Sequence, residues 1–425
     1  MLRAKAGGKI ILRRKAIIVS IDGLGDRPLH ELGGLTPLEA ATTHTFDILA
    51  GEGMVGLVDP YAPGVPCGTD VGHLCMLGYD TKEVYSGRGP IEALGAGFEI
   101  FPGDVAFRCN FATIDHNGIV RDRRAGRIRE GVAELAAILN NITLNNNVIA
   151  NFAPATEHRA VLVLRGAGLS PLVSDSDPGG KNEGMPIQPI RPLDESEAAL
   201  KTAEALQQFL AIARGLLNQH PINLKRIMSG QLPANAILTR SGGIATKCIP
   251  LQERFNGIRC AAVSGEATVQ AIAKMAGMQI VTHPGITGSY DFNGQLKASF
   301  AIELLNDNDL VLVHVKATDL AGHDGKWDSK KSIIEQIDNM VAVIKAKIPP
   351  DTLIAITADH STPCEVGEHS GDPVPVVIWG KGVRADKQLA YGETSCSAGG
   401  LGRITGKDFF HILIDLMGFS QKLGA

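Results

Sequence analysis

Residues 16–22 read AIIVSID, an apolar run with a single serine that ends in an aspartate. Runs of the same kind return along the chain as IRCAAVS (258–264), LVLVHV (310–315), LIAITAD (353–359) and VPVVIW (374–379). Apolar residues that follow one another without alternation indicate strands that are covered on both faces. These runs therefore predict the strands of a parallel sheet between layers of helices.

Two long segments between these runs have the period of an amphipathic helix. Residues 196–216 and 328–348 place apolar side chains three and four positions apart. Ser196 and Asp328 stand at their starts and are predicted to be N-cap residues, because a short polar side chain can accept a hydrogen bond from the first free N–H groups. Strands that alternate with such helices predict the α/β class with a doubly wound sheet.

The pattern changes between residues 105 and 193. An arginine-rich turn, a short helix near residues 130–139 and the apolar run AVLVLRG (160–166) are predicted there. The segment closes with SDSDPGGKNEGMPIQPIRP (174–192), whose glycines, prolines and aspartates are typical of a loop. We expect residues 105–193 to form a smaller inserted α+β domain, and residues 1–104 and 194–425 to form the main core.

Composition excludes several classes of protein. Hydrophobic residues make up 44% of the 425 residues and charged residues 20%, which is typical of a globular chain. Acidic residues outnumber basic ones by 45 to 41, so nucleic acid is not an expected partner. No apolar stretch reaches the length of about 18 residues that a membrane span needs, so a membrane is not expected either.

The seven cysteines are scattered and are never spaced as CxxC. That pattern favours neither a disulfide framework nor a structural zinc site. The basic start of the chain leads into a short apolar run without a cleavage signal. The sequence therefore predicts a cytoplasmic protein, and it makes no prediction of the oligomeric state.

Polar residues follow the predicted strands where ligands of α/β proteins bind, beyond the carboxyl ends. These residues are Asp22, Asp319, His323, Asp359, His360 and His369. Any one of them has an ordinary alternative as a helix cap or a solvated loop residue. Capping does not explain the histidines, because an N-cap needs only a short acceptor. Carboxylates with neutral imidazoles suit manganese or zinc, and six of them would suffice for a two-metal site.

The segment PCGTDVGHLCMLGYD (66–80) contains a candidate nucleophile, the hydroxyl of Thr69. The structural alternative is that Thr69 or Asp70 caps a helix that continues through His73 and Met76. A hydroxyl at a helix start is also well placed for attack. The free N–H groups there favour an incoming anion, and a bound metal can lower the pKa of the hydroxyl.

Basic residues crowd the predicted insertion. The candidates for substrate binding are Arg108, Arg123, Arg124, Arg127, His158 and Arg159, with Lys316 and Arg88 as possible additions from outside it. A run of charge is usually a solvated face. Arginine also matches phosphate and carboxylate with two parallel hydrogen bonds, so a small doubly anionic substrate would use two or three of these residues.

Several motifs together closely resemble the alkaline phosphatase superfamily and, within it, the archaeal-type 2,3-bisphosphoglycerate-independent phosphoglycerate mutases. They are VSIDGLGDRP, GTDVGHLCMLGYD, YSGRGPIEALGAG, NFATID, DRRAGRI, KATDLAGHDG, TADHST and HSGDPVPVVIWG, and they span nearly the whole chain in order. The resemblance implies an α/β core of alkaline phosphatase type that carries two metal ions, usually manganese, zinc or cobalt. It also implies a lid domain inserted after the nucleophile motif.

The resemblance assigns a role to each matching residue. One metal would be held by Asp319, His323 and His369, and the other by Asp22, Asp359 and His360 together with the nucleophile Thr69. Arg123, Arg124 and Arg127 would contact the substrate, and the segment around Asp177 resembles a loop of the same domain. Most of these mutases use serine as the nucleophile, so Thr69 departs from the family pattern while keeping the hydroxyl.

The expected reaction is the interconversion of 3-phosphoglycerate and 2-phosphoglycerate in glycolysis and gluconeogenesis. Thr69 would take the phosphoryl group and return it to the other hydroxyl of the glycerate, without added 2,3-bisphosphoglycerate. One alternative is a metal-dependent phosphatase, phosphodiesterase or phosphonate hydrolase of the same superfamily. Another is a non-catalytic protein that binds metal or phosphate, which a complete ligand set beside a placed hydroxyl disfavours.

Overall fold

A computed structural model describes residues 2–6, 9–179 and 184–424 of the chain. The chain divides into two compact units. The first comprises Met1–Thr81 and Cys248–Ala425, and the second comprises Lys82–Lys247. The inserted segment is therefore longer than the expected 105–193 at both ends.

The strands are, in chain order, β1 (Leu2–Ala6), β2 (Lys9–Arg13), β3 (Ala16–Ile21), β4 (Met54–Asp59), β5 (Val105–Ile114), β6 (Val120–Asp122), β7 (Ile142–Leu144), β8 (Val148–Pro154), β9 (Arg159–Arg165), β10 (Ala236–Ile244), β11 (Cys260–Val263), β12 (Gln279–Val281), β13 (Leu310–Val315), β14 (Leu353–Thr357), β15 (Val374–Trp379) and β16 (Gly402–Thr405). The apolar runs that predicted strands near residues 16, 160, 258, 310, 353 and 374 all lie in strands of this set.

The α-helices are α1 (His44–Glu52), α2 (Thr69–Met76), α3 (Thr81–Val84), α4 (Arg88–Gly95), α5 (Val132–Ala137), α6 (Glu197–Gln219), α7 (Pro221–Met228), α8 (Leu251–Arg254), α9 (Ala267–Met275), α10 (Gly294–Leu304), α11 (Ala317–His323), α12 (Trp327–Lys347), α13 (Glu393–Cys396) and α14 (Gly406–Met417). Short 3₁₀ turns occupy His30–Leu32 and Asn145–Asn147. The helices predicted at 196–216, 328–348 and near 130–139 are confirmed.

The first unit is built on an eight-stranded sheet with the order β12-β11-β13-β3-β14-β15-β4-β16. Every residue of β3, β13 and β14 is buried, which explains why their sequences are continuously apolar. The α/β class with a sheet covered on both faces is confirmed. One strand differs from the prediction: β15, residues 374–379, runs antiparallel to both of its neighbours.

The N-cap prediction holds for one of the two long helices. The Ser196 side chain accepts a hydrogen bond from the backbone N–H of Ala199 at the start of α6. α12 begins at Trp327, so Asp328 lies within its first turn and is not the cap. Its carboxylate accepts from the N–H of Ser329 and adds negative charge where the helix dipole favours it.

The second unit has an antiparallel sheet with the order β10-β5-β9-β8-β7, and β6 pairs with β5. Side chains of β5 alternate between two apolar clusters. Phe107 and Phe111 pack with Leu206 and Phe209 of α6, whereas Ala106 packs with Ala93 of α4. This unit extends beyond the expected boundaries because α4 and α6 pack on the sheet and β10 is one of its strands. Residues 180–183 of the loop 174–192 lie outside the described residues.

Two expectations from composition can be compared with the structure. All seven cysteines are free thiols, which agrees with the absence of a disulfide framework. Among the described residues, no helix is long and apolar enough to cross a membrane.

Candidate active site

The side chains predicted as metal ligands lie at one edge of the eight-stranded sheet. Asp22 directly follows β3, and Asp359 and His360 follow the neighbouring strand β14. Asp319 and His323 lie on α11, the short helix after β13. Since the carboxyl ends of parallel strands meet at one edge of a sheet, residues far apart in sequence come together there.

His369 reaches the same edge from a strand that runs the other way. Because β15 is antiparallel to β14, the loop before β15 lies beside the carboxyl end of β14. His369 stands in that loop, and its ring stacks on that of His360 with 3.6 Å between the ring centroids. We call the six residues the ligand cluster: Asp22, Asp319, His323, Asp359, His360 and His369.

Three members of the ligand cluster turn unprotonated atoms towards one another. Nδ1 of His323 donates to the carbonyl of Gly367 at 2.8 Å. Nδ1 of His369 donates to the carbonyl of Cys67 at the same distance. A proton on Nδ1 leaves Nε2 of each neutral ring with a lone pair. The two Nε2 atoms lie 3.2 Å apart, and they lie 3.4 and 3.5 Å from Asp319 Oδ1.

The other three members have the same arrangement. Thr362 Oγ1 donates to Asp319 Oδ1 at 2.6 Å, so it accepts the hydrogen bond from Nδ1 of His360 at 3.1 Å. Nε2 of His360 therefore carries a lone pair as well. It lies 3.3 Å from Asp22 Oδ1 and 3.3 Å from Asp359 Oδ2. Asp359 Oδ2 is buried and makes no hydrogen bond to the described residues, although His73 Nδ1 lies 3.3 Å away.

The ligand cluster fits divalent cations. Lone pairs that face one another at these distances repel, and a cation between them would remove the repulsion. Two sets, Asp319 with His360 and His369, and Asp22 with Asp359 and His360, each have ligand atoms within 4.8 Å of one another. Carboxylates with imidazoles suit manganese, zinc or cobalt. Asp359 Oδ2 supports this fit, because a buried carboxylate oxygen that makes no hydrogen bond is costly, whereas Oδ1 of the same side chain accepts from the N–H of Gly23.

Thr69 is the first residue of α2 and lies beside the ligand cluster. Gly68 occupies the N-cap position, so the Thr69 side chain is free of a capping role. Thr69 Oγ1 lies 3.3 Å from His360 Nε2 and 3.3 Å from Lys316 Nζ. The helix can approach this closely because residue 72 is glycine: a Cβ there would lie 2.1 Å from the carbonyl oxygen of Asp359.

Lys316, expected among the substrate-binding residues, contacts the ligand cluster directly. Its Nζ lies 3.1 Å from both oxygens of Asp22 and 2.7 Å from Asp319 Oδ2. Burial alone would lower the pKa of Lys316, but these carboxylates raise it above its usual range. Burial alone would raise the pKa of Asp22, yet the Lys316 charge and a hydrogen bond from His314 hold it well below its usual range.

A second group of charged residues lies within the second unit. We call it the arginine cluster: Arg88, Arg108, Arg123, Arg159 and Arg240. Arg108 on β5 is the direct cross-strand partner of Arg240 on β10. Glu92 on α4 accepts from Arg88 and Arg108, at 3.1 and 3.0 Å. Burial lowers the pKa of Arg108 to about 10 against the opposing charge of Glu92, and the neighbouring arginines add to the effect.

Asp177 is the other main carboxylate of the arginine cluster. It accepts two parallel hydrogen bonds from Arg123, at 2.7 and 2.6 Å. Arg240 Nε is buried, and no described residue forms a hydrogen bond with it. Burial lowers the pKa of Arg240, and the attraction of Asp177 only partly opposes this. Within the part of the chain that the structure describes, these arginines outnumber the carboxylates that pair with them, and such a group is suited to an anionic ligand.

The remaining predicted substrate residues are less tightly held. Arg124 and Arg127 are exposed on the turn after β6. His158 is buried, and its Nδ1 forms no hydrogen bond with the residues that the structure describes. Burial lowers the pKa of His158, and the charges of Arg159 and Arg124 lower it further. The structure therefore groups Arg108, Arg123 and Arg159 with two other arginines and leaves Arg124 and Arg127 on the surface.

Comparison with known proteins places these features in a family. The family model of 2,3-bisphosphoglycerate-independent phosphoglycerate mutase matches residues 50–223. A relative of that name from Methanosphaera stadtmanae is 45% identical over 413 residues, which cover 97% of this chain and all of the relative. The chain belongs to the 2,3-bisphosphoglycerate-independent phosphoglycerate mutase family.

Solved structures agree with that assignment. The cofactor-independent phosphoglycerate mutase of Thermoplasma acidophilum is 35% identical with a TM-score of 0.73, and the match covers 95% of this chain and all of the other. A protein from Pyrococcus horikoshii is 38% identical with a TM-score of 0.83, and the match covers 98% of this chain and all of the other. The predicted enzyme class, a phosphoglycerate mutase, is confirmed, and the hydrolase alternative is not favoured.

Sequence reasoning missed two buried histidines and one arginine of this mutase. His314 and His73 lie against the ligand cluster, and their rings make an edge-to-face contact with centroids 5.2 Å apart. A signal for His314 was present, because an imidazole inside the apolar run LVLVHV needs buried hydrogen-bond partners. Arg240 was missed because its strand was assigned to the core.

Proposed function

We propose that this enzyme interconverts 3-phosphoglycerate and 2-phosphoglycerate through a phosphorylated Thr69, without added 2,3-bisphosphoglycerate. The observation that carries the proposal is the position of Thr69 Oγ1, 3.3 Å from both Lys316 Nζ and His360 Nε2 at the start of a helix. In the first step, an O–P bond forms at Thr69 and the ester O–P bond breaks. The glycerate then reorients, and its other hydroxyl takes the phosphoryl group back.

Two divalent cations held by the ligand cluster belong to this proposal, with manganese, zinc or cobalt as candidates. The division into two sites follows the family resemblance: Asp319, His323 and His369 on one side, and Asp22, Asp359 and His360 with Thr69 on the other. Bound there, such cations would lower the pKa of a hydroxyl and shield the charge of the phosphoryl oxygens.

Residues of the chain itself support the attack. The ammonium of Lys316 favours the ionised form of Thr69, because a cation 3.3 Å away stabilises the developing negative charge. The first N–H groups of α2 favour an anionic group in the same region. Thr69 keeps the hydroxyl that serine supplies in most members of the family and adds a methyl group beside it.

The arginine cluster is proposed to hold the substrate while Thr69 is phosphorylated. Its guanidinium groups match both the carboxylate and the phosphate of a phosphoglycerate. A glycerate that is held in place returns to the phosphoenzyme before water does, and that retention separates a mutase from a phosphatase. We place the enzyme in the cytoplasm, because seven free thiols are typical of a reducing compartment.

The test is an assay that follows isomerisation and hydrolysis together. Purified protein is treated with a chelator, supplied with manganese, cobalt or zinc, and given 3-phosphoglycerate; 2-phosphoglycerate and free phosphate are then measured. We expect activity only after metal is returned, with 2-phosphoglycerate as the main product. Free phosphate as the main product would support a hydrolase, and full activity of metal-free protein would contradict the metal assignment.

A matched variant sharpens this assay. His323→Ala should lose nearly all turnover and remain folded, since the side chain is partly exposed on α11. His116→Ala in the second unit provides a control for histidine removal outside the ligand cluster and should keep wild-type turnover. Wild-type turnover of the His323 variant would contradict its role as a ligand.

A further inference from the structure

A buried Ser–His–Asp chain lies behind the ligand cluster. His314 Nε2 lies 2.8 Å from Asp22 Oδ2, and His314 Nδ1 lies 3.0 Å from Ser264 Oγ. All three side chains are at most 1% exposed. Ser264 follows β11, His314 lies in β13 and Asp22 follows β3, so the chain crosses three neighbouring strands of the sheet.

The hydrogen-bond partners fix the direction of this chain. Ser264 Oγ accepts from the backbone N–H of Glu266 at 3.1 Å, so its own proton is free to be donated to His314 Nδ1. The neutral ring then carries its proton on Nε2, which donates to Asp22 Oδ2. Ser264 is therefore a hydrogen-bond donor buried in the core, and it is not exposed for nucleophilic attack.

The effect on Asp22 is to give its two oxygens different roles. Lys316 Nζ lies 3.1 Å from both oxygens, but Oδ2 also accepts the hydrogen bond from His314, whereas Oδ1 faces His360 Nε2 at 3.3 Å. A carboxylate that is held by one oxygen presents the other in a fixed direction. Hydrogen bonds of this kind to metal-ligating side chains typically change metal affinity by about 10–100-fold when they are removed.

We propose that His314, held by Ser264, is a positioning residue that orients Asp22 towards a divalent cation. This inference rests on the proposed function, because it presupposes that Asp22 is a metal ligand. It adds a residue outside the predicted ligand set and gives the serine of the chain a supporting role.

Asparagine and glutamine at position 314 separate positioning from packing. The amide nitrogen of glutamine can occupy the place of Nε2 and donate to Asp22. Asparagine is shorter, so its amide falls near the place of Nδ1, and Asp22 Oδ2 loses the donor at position 314 and keeps only Lys316 Nζ, at 3.1 Å. Both substitutions remove the imidazole from the core, so their effects on packing are similar.

The experiment measures Mn²⁺ affinity of metal-stripped protein by calorimetry, with folding checked by circular dichroism in chelator. We expect His314→Asn to weaken one of the two Mn²⁺ sites by about 10–100-fold. His314→Gln should retain most of the wild-type Mn²⁺ affinity at that site. Thr357→Val is the matched control, since Thr357 Oγ1 is buried in β14 and makes no hydrogen bond to the described residues; its Mn²⁺ affinity should equal that of the wild type.

A second variant keeps the test decisive if neither His314 variant folds. Ser264→Ala removes the donor to Nδ1 and should weaken the same site by a few-fold, with phosphate from 3-phosphoglycerate still found on Thr69. Wild-type Mn²⁺ affinity in His314→Asn or, where that variant does not fold, in Ser264→Ala would overturn the inference, as would equal losses in the Asn and Gln variants. If the wild-type protein itself bound no Mn²⁺, Co²⁺ or Zn²⁺, the proposed function would fail instead.

Discussion

The two units differ in how their charged side chains are paired. In the first unit, Lys316 stands among the carboxylates of the ligand cluster, and the pKa values of the carboxylates and of the ammonium shift so that both stay charged. In the second unit, arginine faces arginine across β5 and β10, and burial lowers the pKa of Arg108 and of Arg240. The ligand cluster has more carboxylates around Lys316 than that one ammonium can balance, which suits cations, and the arginine cluster has positive charge that an anionic ligand can balance.

This difference assigns different tasks to the two regions. Groups that are already fixed by buried hydrogen bonds can stabilise a transition state without reorganising. Positively charged groups that lack enough carboxylate partners attract an anion, and their electrostatic free energy falls when the anion binds. We therefore expect substitutions in the first unit to lower mutase activity or the free energy of unfolding. Substitutions in the arginine cluster should change substrate affinity and the share of phosphoenzyme that is hydrolysed.

The largest effect is expected at the nucleophile. Thr69→Ala removes the hydroxyl that accepts the phosphoryl group, so mutase activity should fall on the order of 10⁵-fold. Thr69→Ser should keep substantial activity because the hydroxyl survives. The coupled assay for 2-phosphoglycerate measures both.

Mass spectrometry locates the phosphate in protein whose reaction with 3-phosphoglycerate has been quenched during turnover. We expect it on the peptide that contains Thr69 and expect none in the alanine variant. Ser86 is a hydroxyl of the second unit that donates to the carbonyl of Ile244, and it serves as the internal comparison. Reproducible phosphate on Ser86 would show that the nucleophile lies in the second unit. It would contradict the assignment of phosphoryl transfer to the first unit.

The next largest effect concerns a buried ion pair that links α12 to the loops containing Asp26 and Thr362 in the first unit. Lys330 Nζ on α12 donates to Asp26 Oδ2 at 2.8 Å and to the carbonyl of Thr362 at 3.0 Å, and its side chain is fully buried. Lys330→Met leaves Asp26 buried without its cation. The free energy of unfolding should fall by about 3–5 kcal/mol, measured by denaturant titration.

The double variant Lys330→Met, Asp26→Asn separates the charge from the packing. Removing the carboxylate as well should restore part of the lost free energy, because no uncompensated anion is left. If the double variant were no more stable than Lys330→Met, the loss would come from packing of the long side chain and not from the ion pair.

The edge of the sheet that carries the site could be predicted because polar residues interrupt apolar strands at one defined place. Asp22 and Asp359 are recognisable as strand-end carboxylates from the printed sequence. His369 was found as a candidate although β15 was given the wrong direction. Strand direction depends on which strands pair, and a six-residue apolar run carries no information on that.

Other features depend on tertiary contacts that no local pattern contains. Lys316 was placed with the substrate residues because it stands next to a metal motif, and only the fold puts its ammonium between Asp22 and Asp319. The boundaries of the second unit failed because α6 and β10 look like core elements by period alone. Their apolar faces have no preference for one sheet over another until the chain folds.

A buried lysine beneath the site should make stability depend on pH. Lys297 Nζ is buried and donates to the carbonyl of His314 at 2.9 Å, and burial lowers its pKa from 10.5 to about 8. Below pH 8 the lysine is protonated in both states, so the cost of its buried charge is fully present. Between about pH 8 and 10.5 only the unfolded chain holds the proton, so stability rises with pH.

Lys297→Met removes this titration. Its advantage in unfolding free energy over the wild type should be largest below pH 8 and should shrink by roughly 3 kcal/mol as the pH rises to 10.5. Denaturant titrations at several pH values measure the difference. A difference that stays constant with pH would show that the buried ammonium does not titrate in this range.

The smallest effect decides between mutase and hydrolase, and it belongs to the second unit. Arg240→Met in the arginine cluster should weaken substrate binding by about 2 kcal/mol, roughly 30-fold, because it removes one charged contact. The family resemblance predicts the same for Arg124→Met and Arg127→Met. Arg121→Met is the control, since Arg121 is exposed and already pairs with Asp115 at 2.7 Å.

The product ratio is the sharper measurement in these variants. A loosely held glycerate leaves before it is rephosphorylated, so the share of free phosphate should rise while Mn²⁺ affinity and phosphorylation of Thr69 by a generic phosphate ester stay unchanged. Unchanged affinity and an unaltered ratio in Arg240→Met would show that the excess charge of the second unit does not bind the substrate. The arginine cluster would then have no role in substrate binding. Retention of the glycerate would have to be explained by groups in the first unit.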